Sequence, residues 1–250
     1  MSPRRFVLPR RSARESLQDG GRASAPGPLC PLRGSGGTEA CLHPFMVAAF
    51  AQMKALSRQE GDPAAVSRPF DAARSGFVMA EGAAVLVLER AGFARARGAR
   101  VHGAVAGASV TSSAGHISAS DTEGQVAAVR AALRDAELGP RDIGHVHAHA
   151  TSTPGGDLAE ADAIAKALGE HPVVTATKSM TGHMLGASGA FGAMSALLSL
   201  RHGVVPATRN LDELDPRVRL DVVSGENRTR SFRRSRRPAR AQRKTRGAPT

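Results

Sequence analysis

The sequence predicts an α/β fold in which sheet layers are sandwiched by helices. Two observations lead to this prediction. Segments with the alternating or continuous apolar pattern of strands are followed, through most of the chain, by segments with helical periodicity. The chain has 250 residues, of which 41% are hydrophobic, and this is enough to bury a sizeable core.

The first predicted elements lie in the N-terminal half of this pattern. Residues 42–55 (LHPFMVAAFAQMKA) indicate a helix, whereas residues 58–76 are rich in Pro, Asp and Arg and predict a loop. Residues 77–89 (FVMAEGAAVLVLE) end in a continuous apolar run flanked by charge, which is typical of a buried strand. A second strand is predicted over 101–109.

The next elements are a helix, a strand and another helix. Residues 122–137 place apolar side chains on one helical face, and Asp121 is the expected N-cap. Residues 143–149 alternate like a strand. Asp157 is predicted to open the following helix, with Glu160 three residues on as a capping-box-like pair. The apolar faces of the two helices consist of Val126, Val129, Leu133, Ala136, Ala161, Ile164, Ala165 and Leu168.

The last elements surround a long uncharged stretch. Residues 179–200 contain no Asp, Glu, Lys or Arg, and their number would suit a membrane span. Their glycines, their histidine and the scarcity of large apolar residues before Leu197 instead favour a loop followed by a tightly packed helix over 186–202, so no membrane span is predicted. Three short strands complete the pattern, over 173–175, 204–207 and 218–223.

The net charge of +12 belongs to the two ends of the chain. Residues 1–34 have a net charge of +5 and residues 226–250 of +9, whereas the stretch between them has −2. A nucleic-acid-binding protein would place its basic face on the folded part, and the absence of Trp and Tyr removes the usual stacking platforms. Nucleic acid is therefore not an expected partner.

The composition of residues 1–17 also bears on the localisation of the protein. They are rich in Arg and Ser and poor in acidic residues, which are traits of a mitochondrial transit peptide. The sequence thus predicts a mitochondrial protein. A segment without a targeting role, and a cytoplasmic protein, is the alternative.

Two histidine-containing loops follow predicted strands, where the sites of α/β proteins lie. One runs from His149 to Pro154, and the other from Lys178 to His183. Each places a histidine beside small residues that leave room for a substrate. His145 and His147 share a strand face with His149, but no Cys or carboxylate accompanies them at ligand spacing, so no metal site is predicted.

Residues 36–225 closely resemble the β-ketoacyl-acyl carrier protein synthases, the condensing enzymes of the thiolase fold. The resemblance implies the layered αβαβα fold, mainly its C-terminal half, with residues 35–100 as a remnant of the N-terminal half and 101–225 as the C-terminal half. Residues 1–34 and 226–250 do not match. The matching motifs, in the order of the family, are GGTEA (36–40), RPFDAARSGFVMAEGAAVLVLE (68–89), AHATSTP (148–154), TKSMTGHMLGASGA (177–190) and PATRNLDELDP (206–216).

Two details of these motifs look most like the mitochondrial branch of the family. Ala150 stands where bacterial relatives usually have Gly, and residues 114–120 read AGHISAS. Both details agree with the transit-peptide traits of the N-terminus.

The resemblance implies a decarboxylative Claisen condensation. Malonyl-acyl carrier protein loses CO₂, and the resulting carbanion attacks an acyl thioester held on a cysteine. By resemblance, the neutral imidazoles of His149 and His183 donate hydrogen bonds to the enolate oxygen. Lys178 disfavours their protonation, and Glu160 pairs with Lys178.

The same resemblance names the binding partners. Thr151 and Thr153 are expected to bind the pantetheine arm of the substrate through their hydroxyls. The implied partners are acyl carrier protein, malonyl and acyl thioesters and a second copy of the chain, with no cofactor beyond the phosphopantetheine of the carrier.

The nucleophile motif of the family, T-A-C-x-x-G-A-x-A, is absent from this sequence. Cys30 lies in a Pro/Gly-rich context without a helix N-terminus that would lower its pKa, and Cys41 is interpreted as a small packed residue. Neither is expected to be the nucleophile. The chain is therefore either an incomplete synthase, whose basic ends come from another reading frame, or a catalytically deficient fragment or decarboxylase-like companion subunit. With its first half missing, it should also expose apolar surface.

Overall fold

The computed structural model describes residues 5–8, 32–115 and 119–232. Its helices are α1 (Pro44–Gln52), α2 (Ala91–Ala96), α3 (Thr122–Ala136), α4 (Pro154–Leu168), α5 (Lys178–Thr181) and α6 (Ser188–His202). Its strands are β1 (Arg5–Leu8), β2 (Leu32–Glu39), β3 (Gly82–Glu89), β4 (Ala104–Ala108), β5 (His145–His147), β6 (Val173–Thr175), β7 (Val204–Val205), β8 (Asp221–Val222) and β9 (Arg228–Thr229).

A parallel sheet in the order β5-β6-β8 forms the centre of the fold. Its register pairs His145 with Val173 and Val174 with Val222. The middle strand β6 is completely buried, as its continuous apolar sequence requires. This sheet brings the ends of β5 and β6, and the two loops that follow them, to one edge.

Helices cover the central sheet on both faces. Helices α3 and α4 pack against each other, and α4 contributes the largest share of the main core. Helix α6 packs on the other side, between β5 and an antiparallel two-stranded sheet formed by β2 and β3. The order is thus helix, sheet, helix, sheet, and the prediction of layered α/β architecture is confirmed.

Most predicted elements are present, with shorter bounds. Asp121 caps α3 by accepting the N–H of Gly124, and Gly169 ends α4 with a φ of 93°. The strand predicted over 77–89 begins only at Gly82, because the preceding residues form single bridges to Leu56 and His183 rather than a ladder.

Other predicted bounds are wrong by a few residues. Helix α4 begins at Pro154 rather than Asp157, since proline is favoured in a first helical turn. The loop predicted after β6 contains the short helix α5. Strand β1, within the non-matching N-terminal segment, pairs in parallel with β4, an arrangement that the sequence did not indicate.

In the parts of the chain that the structure describes, no helix is both long and apolar enough to cross a bilayer. The uncharged stretch instead forms α5, a 3₁₀ turn at 185–187 and α6.

Candidate active site

His149 lies directly beyond β5, and its backbone is held from both sides. The N–H groups of His149 and Ala150 donate to the two carboxylate oxygens of Glu160, at 2.8 and 2.6 Å. Nζ of Lys178 donates to the carbonyl of His149 at 2.5 Å. The buried Glu160 carboxylate and Lys178 ammonium thus hold the peptide groups on both sides of the His149 side chain.

The capping-box interpretation of Glu160 is wrong. The loop after β5 folds over the start of α4, so its N–H groups, rather than those of the helix terminus, reach the Glu160 carboxylate. Asp157 likewise accepts the N–H of Phe70, from a distant segment, at 3.0 Å. Burial raises the pKa of Asp157 to about 6, and the Phe70 N–H opposes this rise.

His183 is anchored by a strand-like bridge to the segment before β3. Its N–H donates to the carbonyl of Val78 at 2.7 Å, and its carbonyl accepts the N–H of Ala80 at 3.1 Å. The preceding residue, Gly182, has a φ of +67°, and a Cβ there would lie 3.0 Å from both the Ala80 Cβ and the Val78 carbonyl oxygen. Glycine is required at 182 on both counts.

The structure brings His149 and His183 together. Their ring centroids are 5.1 Å apart and their planes are nearly perpendicular, at 89°. Phe77 packs edge-on against His183 with centroids 5.4 Å apart, and Phe50 packs in the same way against Phe77. The two imidazoles therefore meet beside the packed rings of Phe77 and Phe50, and both imidazoles are partly exposed.

Lys178 opens α5 and is 6% exposed. Its backbone carbonyl accepts the hydroxyl of Ser67 at 2.7 Å. Its charge acts on His147, whose pKa falls to about 3, mainly through burial and next through the Lys178 ammonium. The predicted ion pair with Glu160 stays a prediction; both side chains contact the backbone of His149.

Thr151 and Thr153 lie side by side in the loop before α4, with their hydroxyl oxygens 3.1 Å apart. Between them Ser152 is fully buried at a φ of +71°. Its hydroxyl accepts the N–H of Arg68 at 3.0 Å. The left-handed backbone of Ser152 allows the two flanking threonine hydroxyls to meet.

A buried network of charges supports this loop, and the sequence prediction missed it. The guanidinium of Arg74 donates to the carbonyls of Thr153 and Pro154, at 3.3 and 2.8 Å, and to Asp215 at 2.8 Å. The Pro-, Asp- and Arg-rich composition of residues 58–76 predicts an ordinary loop. The alternation of Arg and Asp in RPFDAARSGF was the available signal, since buried charges occur in pairs.

Asp71 anchors the same segment to the late loop, which comprises residues 206–216. It accepts the N–H groups of Ala73, Asp212 and Glu213 at 2.8 to 3.0 Å, as well as the Arg68 guanidinium. Burial raises the pKa of Asp71, but these donors outweigh burial and lower it overall.

Cys41 is buried and its Sγ lies 3.5 Å from the carbonyl oxygen of Ala80. Burial, and then the nearby Glu39 carboxylate, raise the pKa of the thiol, which confirms the interpretation of a packed residue. Cys30 lies outside the described residues. Within 5–8, 32–115 and 119–232, no group of three or more His, Cys, Asp and Glu side chains is placed to hold a metal ion.

Two family models match adjoining parts of this chain. The β-ketoacyl synthase N-terminal domain matches residues 35–94, and the C-terminal domain matches residues 102–212. Together they account for well over half of the sequence. This chain belongs to the β-ketoacyl synthase family.

Curated relatives of this β-ketoacyl synthase chain are bacterial 3-oxoacyl-[acyl-carrier-protein] synthases 2. The Synechocystis enzyme is 44% identical over 198 residues, which are 77% of this chain and 48% of the relative. The Mycobacterium tuberculosis enzyme is 46% identical over 202 residues, covering 79% of this chain and 48% of the relative. The chain thus spans about half the length of the curated relatives it matches.

Solved structures agree with the family assignment and confirm the thiolase-like fold. A β-ketoacyl synthase from Burkholderia phymatum superposes with a TM-score of 0.82 at 37% identity, over 87% of this chain and 53% of that one. A type II polyketide ketosynthase in complex with its acyl-carrier protein gives a TM-score of 0.79 at 31% identity, over 82% and 52% of the two chains.

Proposed function

We propose that this chain supplies the histidine half of a 3-oxoacyl-acyl carrier protein synthase site of fatty acid biosynthesis. The substrate would be malonyl-acyl carrier protein, which loses CO₂ before its carbon condenses with an acyl thioester. The observation that carries this proposal is the meeting of the His149 and His183 rings, 5.1 Å apart, beside the buried Lys178.

In the first step, the bond between the malonyl α-carbon and its carboxylate breaks, and CO₂ leaves. The electron pair moves into the thioester and places negative charge on its carbonyl oxygen. The N–H groups of His149 and His183 would donate hydrogen bonds to this oxygen. Because their backbones are fixed by Glu160, Lys178 and the bridge to Val78, the donors would need little reorganisation.

A neutral imidazole offers one N–H donor, and Lys178 would help to keep both site histidines neutral. A positive charge nearby disfavours a second proton on each ring, as it does for His147. The loop with Thr151 and Thr153 would bind the pantetheine arm of the carrier through its paired hydroxyls.

In the second step, the enolate carbon attacks the carbonyl of an acyl thioester, a carbon–carbon bond forms, and the thiolate leaves. This step needs a reactive cysteine to hold the acyl group. Cys41 is buried, with a raised pKa, and does not fit that role. This observation favours a second candidate, a decarboxylase-like companion subunit or catalytically deficient fragment that performs at most the first step.

An assay of the full chain with malonyl-acyl carrier protein, with and without an acyl-carrier substrate, separates these functions. We expect CO₂ release, reduced about 100-fold by His149→Ala or His183→Ala and unchanged by His202→Ala, an exposed histidine of α6. A 3-oxoacyl product supports the synthase, and CO₂ alone supports the companion subunit. A folded chain that releases no CO₂ refutes both the synthase and the decarboxylase-like companion subunit, and it supports the catalytically deficient fragment.

Acyl carrier protein is the proposed macromolecular partner, with a second copy of the chain as a further one. A ketosynthase of similar fold is described in complex with its acyl-carrier protein. We also propose that the chain belongs to the mitochondrial branch, on the basis of Ala150 and the Arg- and Ser-rich residues 1–17. Fusing residues 1–34 to a fluorescent protein tests this: import into mitochondria supports it, and a cytoplasmic signal contradicts it.

A further inference from the structure

The ring of His183 has a hydroxyl partner on the next helix. Nδ1 of His183 and Oγ of Ser188 are 2.9 Å apart. Ser188 is the first residue of α6, five positions further along the chain. No motif-based argument singled out this serine, since its role depends on how the intervening residues turn.

The turn that joins the two residues is tightly constrained. Residues 185–187 form a 3₁₀ turn in which the N–H of Ala187 donates to the carbonyl of Met184 at 2.8 Å. Met184 is buried against Gly82, where even a Cβ would lie 2.4 Å from the Met184 sulfur. The backbone of His183 is also bridged to the segment before β3. The distance between the His183 ring and the Ser188 hydroxyl is therefore fixed by this bridge on one side and by the 3₁₀ turn on the other.

We propose that Ser188 is a positioning residue that holds neutral His183 as the tautomer with its proton on Nε2. A serine hydroxyl has one proton to donate, and donation to Nδ1 requires a lone pair on that nitrogen. The single ring proton must then lie on Nε2. If the proposed function holds, this nitrogen is the one that can donate to the enolate oxygen.

Electrostatics at the start of α6 favour this direction of the hydrogen bond. The helix has 15 residues, and the partial positive charge of its N-terminus lies at Ser188. A lone pair on Nδ1 is stabilised there, whereas an N–H pointing at the same end is disfavoured. The opposite tautomer would use its only proton on Ser188 and leave none for a substrate.

Nitrogen NMR of the ¹⁵N-histidine-labelled full chain tests the proposal without turnover. The His183 signals are those that disappear in His183→Gln. We expect the wild type to show a protonated Nε2 and an unprotonated Nδ1, Ser188→Ala to show a mixture of tautomers, and Ser188→Thr to restore the wild-type pattern. Ser195→Ala, on the same helix, is the matched control and should leave the signals unchanged. A wild-type proton on Nδ1, or a Ser188→Ala spectrum identical to the wild type, overturns the proposal.

Kinetics then connect the tautomer to the proposed reaction. In a chain that releases CO₂, Ser188→Ala should lower kcat about tenfold with KM unchanged, which corresponds to one neutral hydrogen bond, and Ser188→Thr should recover most of it. An unchanged kcat, despite mixed tautomers, refutes the positioning role. If the wild type releases no CO₂, the proposed function fails, while the NMR result still decides the tautomer.

Discussion

Two partly buried histidines lie behind the site, and both have lowered pKa values. His147 lies on β5 with its Nε2 2.8 Å from the Thr177 hydroxyl, and Gly192 of α6 leaves room for its ring. Nε2 of His145 is shielded from solvent, and its ring packs near Phe232. Burial, and then the charge of Arg230, lower the pKa of His145 to about 4. The fold therefore carries imidazoles that cannot accept a proton without loss of stability.

Acid should destabilise the chain through these residues. An unfolded histidine binds its proton near pH 6.5, whereas the folded pKa values of His145 and His147 are about 4 and about 3. Below pH 6.5 the unfolded state binds more protons, so the free energy of unfolding falls as the pH falls, by roughly 2 kcal/mol for His145 at pH 5. Urea unfolding at pH 7 and pH 5 should show a smaller difference for His145→Val. His202→Gln should keep the wild-type difference, and an equal difference in all three proteins contradicts the argument.

Gly182 offers a second test at the residue scale. Gly182→Ala introduces a Cβ 3.0 Å from Ala80 and Val78 at a φ of +67°. It should cost roughly 2 kcal/mol of unfolding free energy and abolish CO₂ release, because it pushes His183 from its bridge. Gly98→Ala is the matched control, since Gly98 has the same φ with open space around it. Gly98→Ala should lose less unfolding free energy than Gly182→Ala and should keep its CO₂ release. If both variants lose the same activity, the crowding around Gly182 is not the cause.

At the scale of elements, the site is assembled by one irregular segment rather than by helices and strands alone. Arg74 connects the loop before α4 with Asp215 of the late loop. Its side chain is 2% exposed, and its removal would leave the buried Asp215 carboxylate with only the more exposed Arg217 as a cationic partner and the Thr153 and Pro154 carbonyls without this donor. Hydrogen bonds from Arg217, and then from Arg74, hold the pKa of Asp215 well below its usual range.

Arg74→Met should therefore destabilise the chain strongly, by roughly 3 kcal/mol. It should also raise KM for the malonyl substrate, because the Thr151–Thr153 loop loses its support. Chemical denaturation and steady-state kinetics measure the two effects. Lys166→Met removes an ion pair with Asp162 in which both side chains are about half exposed, and it should change neither quantity. A stable Arg74→Met protein with normal KM would rule out this account.

At the scale of the whole molecule, the two-stranded sheet of β2 and β3 has an exposed apolar face. Val85 and Val87 are 70% and 66% exposed, and Phe45 of α1 is 72% exposed. Helix α1 buries none of its residues in the described structure. The expected exposed apolar surface is thus present, and a face of this kind favours association and poor solubility.

Dye binding measures this face directly. The full chain should bind a dye that fluoresces on apolar surfaces, and the double variant Val85→Thr, Val87→Thr should bind less. Its unfolding free energy should change by no more than about 0.5 kcal/mol, since threonine keeps the β-branched shape. The control is Val101→Thr with Val110→Thr, which removes two exposed valines elsewhere. A wild type that binds no dye contradicts the prediction.

The sequence by itself determined the family, the alternation of elements and the two histidine loops. These depend on local pattern: periodicity places helices and strands, and parallel strands bring their carboxyl ends to one edge. Asp121 and Gly169 were predicted for the same reason, because their roles depend on near neighbours.

Only the tertiary structure decided which distant groups meet. Glu160 looked like a helix cap but binds the backbone of His149 and Ala150, and Arg74 looked like a loop residue but is buried in an ion network. The hydrogen bond of Ser188 to His183 likewise depends on a turn that packs against Gly82. A hydrogen bond or ion pair depends on the positions of both partners in space. Spacing along the sequence predicts the relative positions only of residues on the same helix or strand.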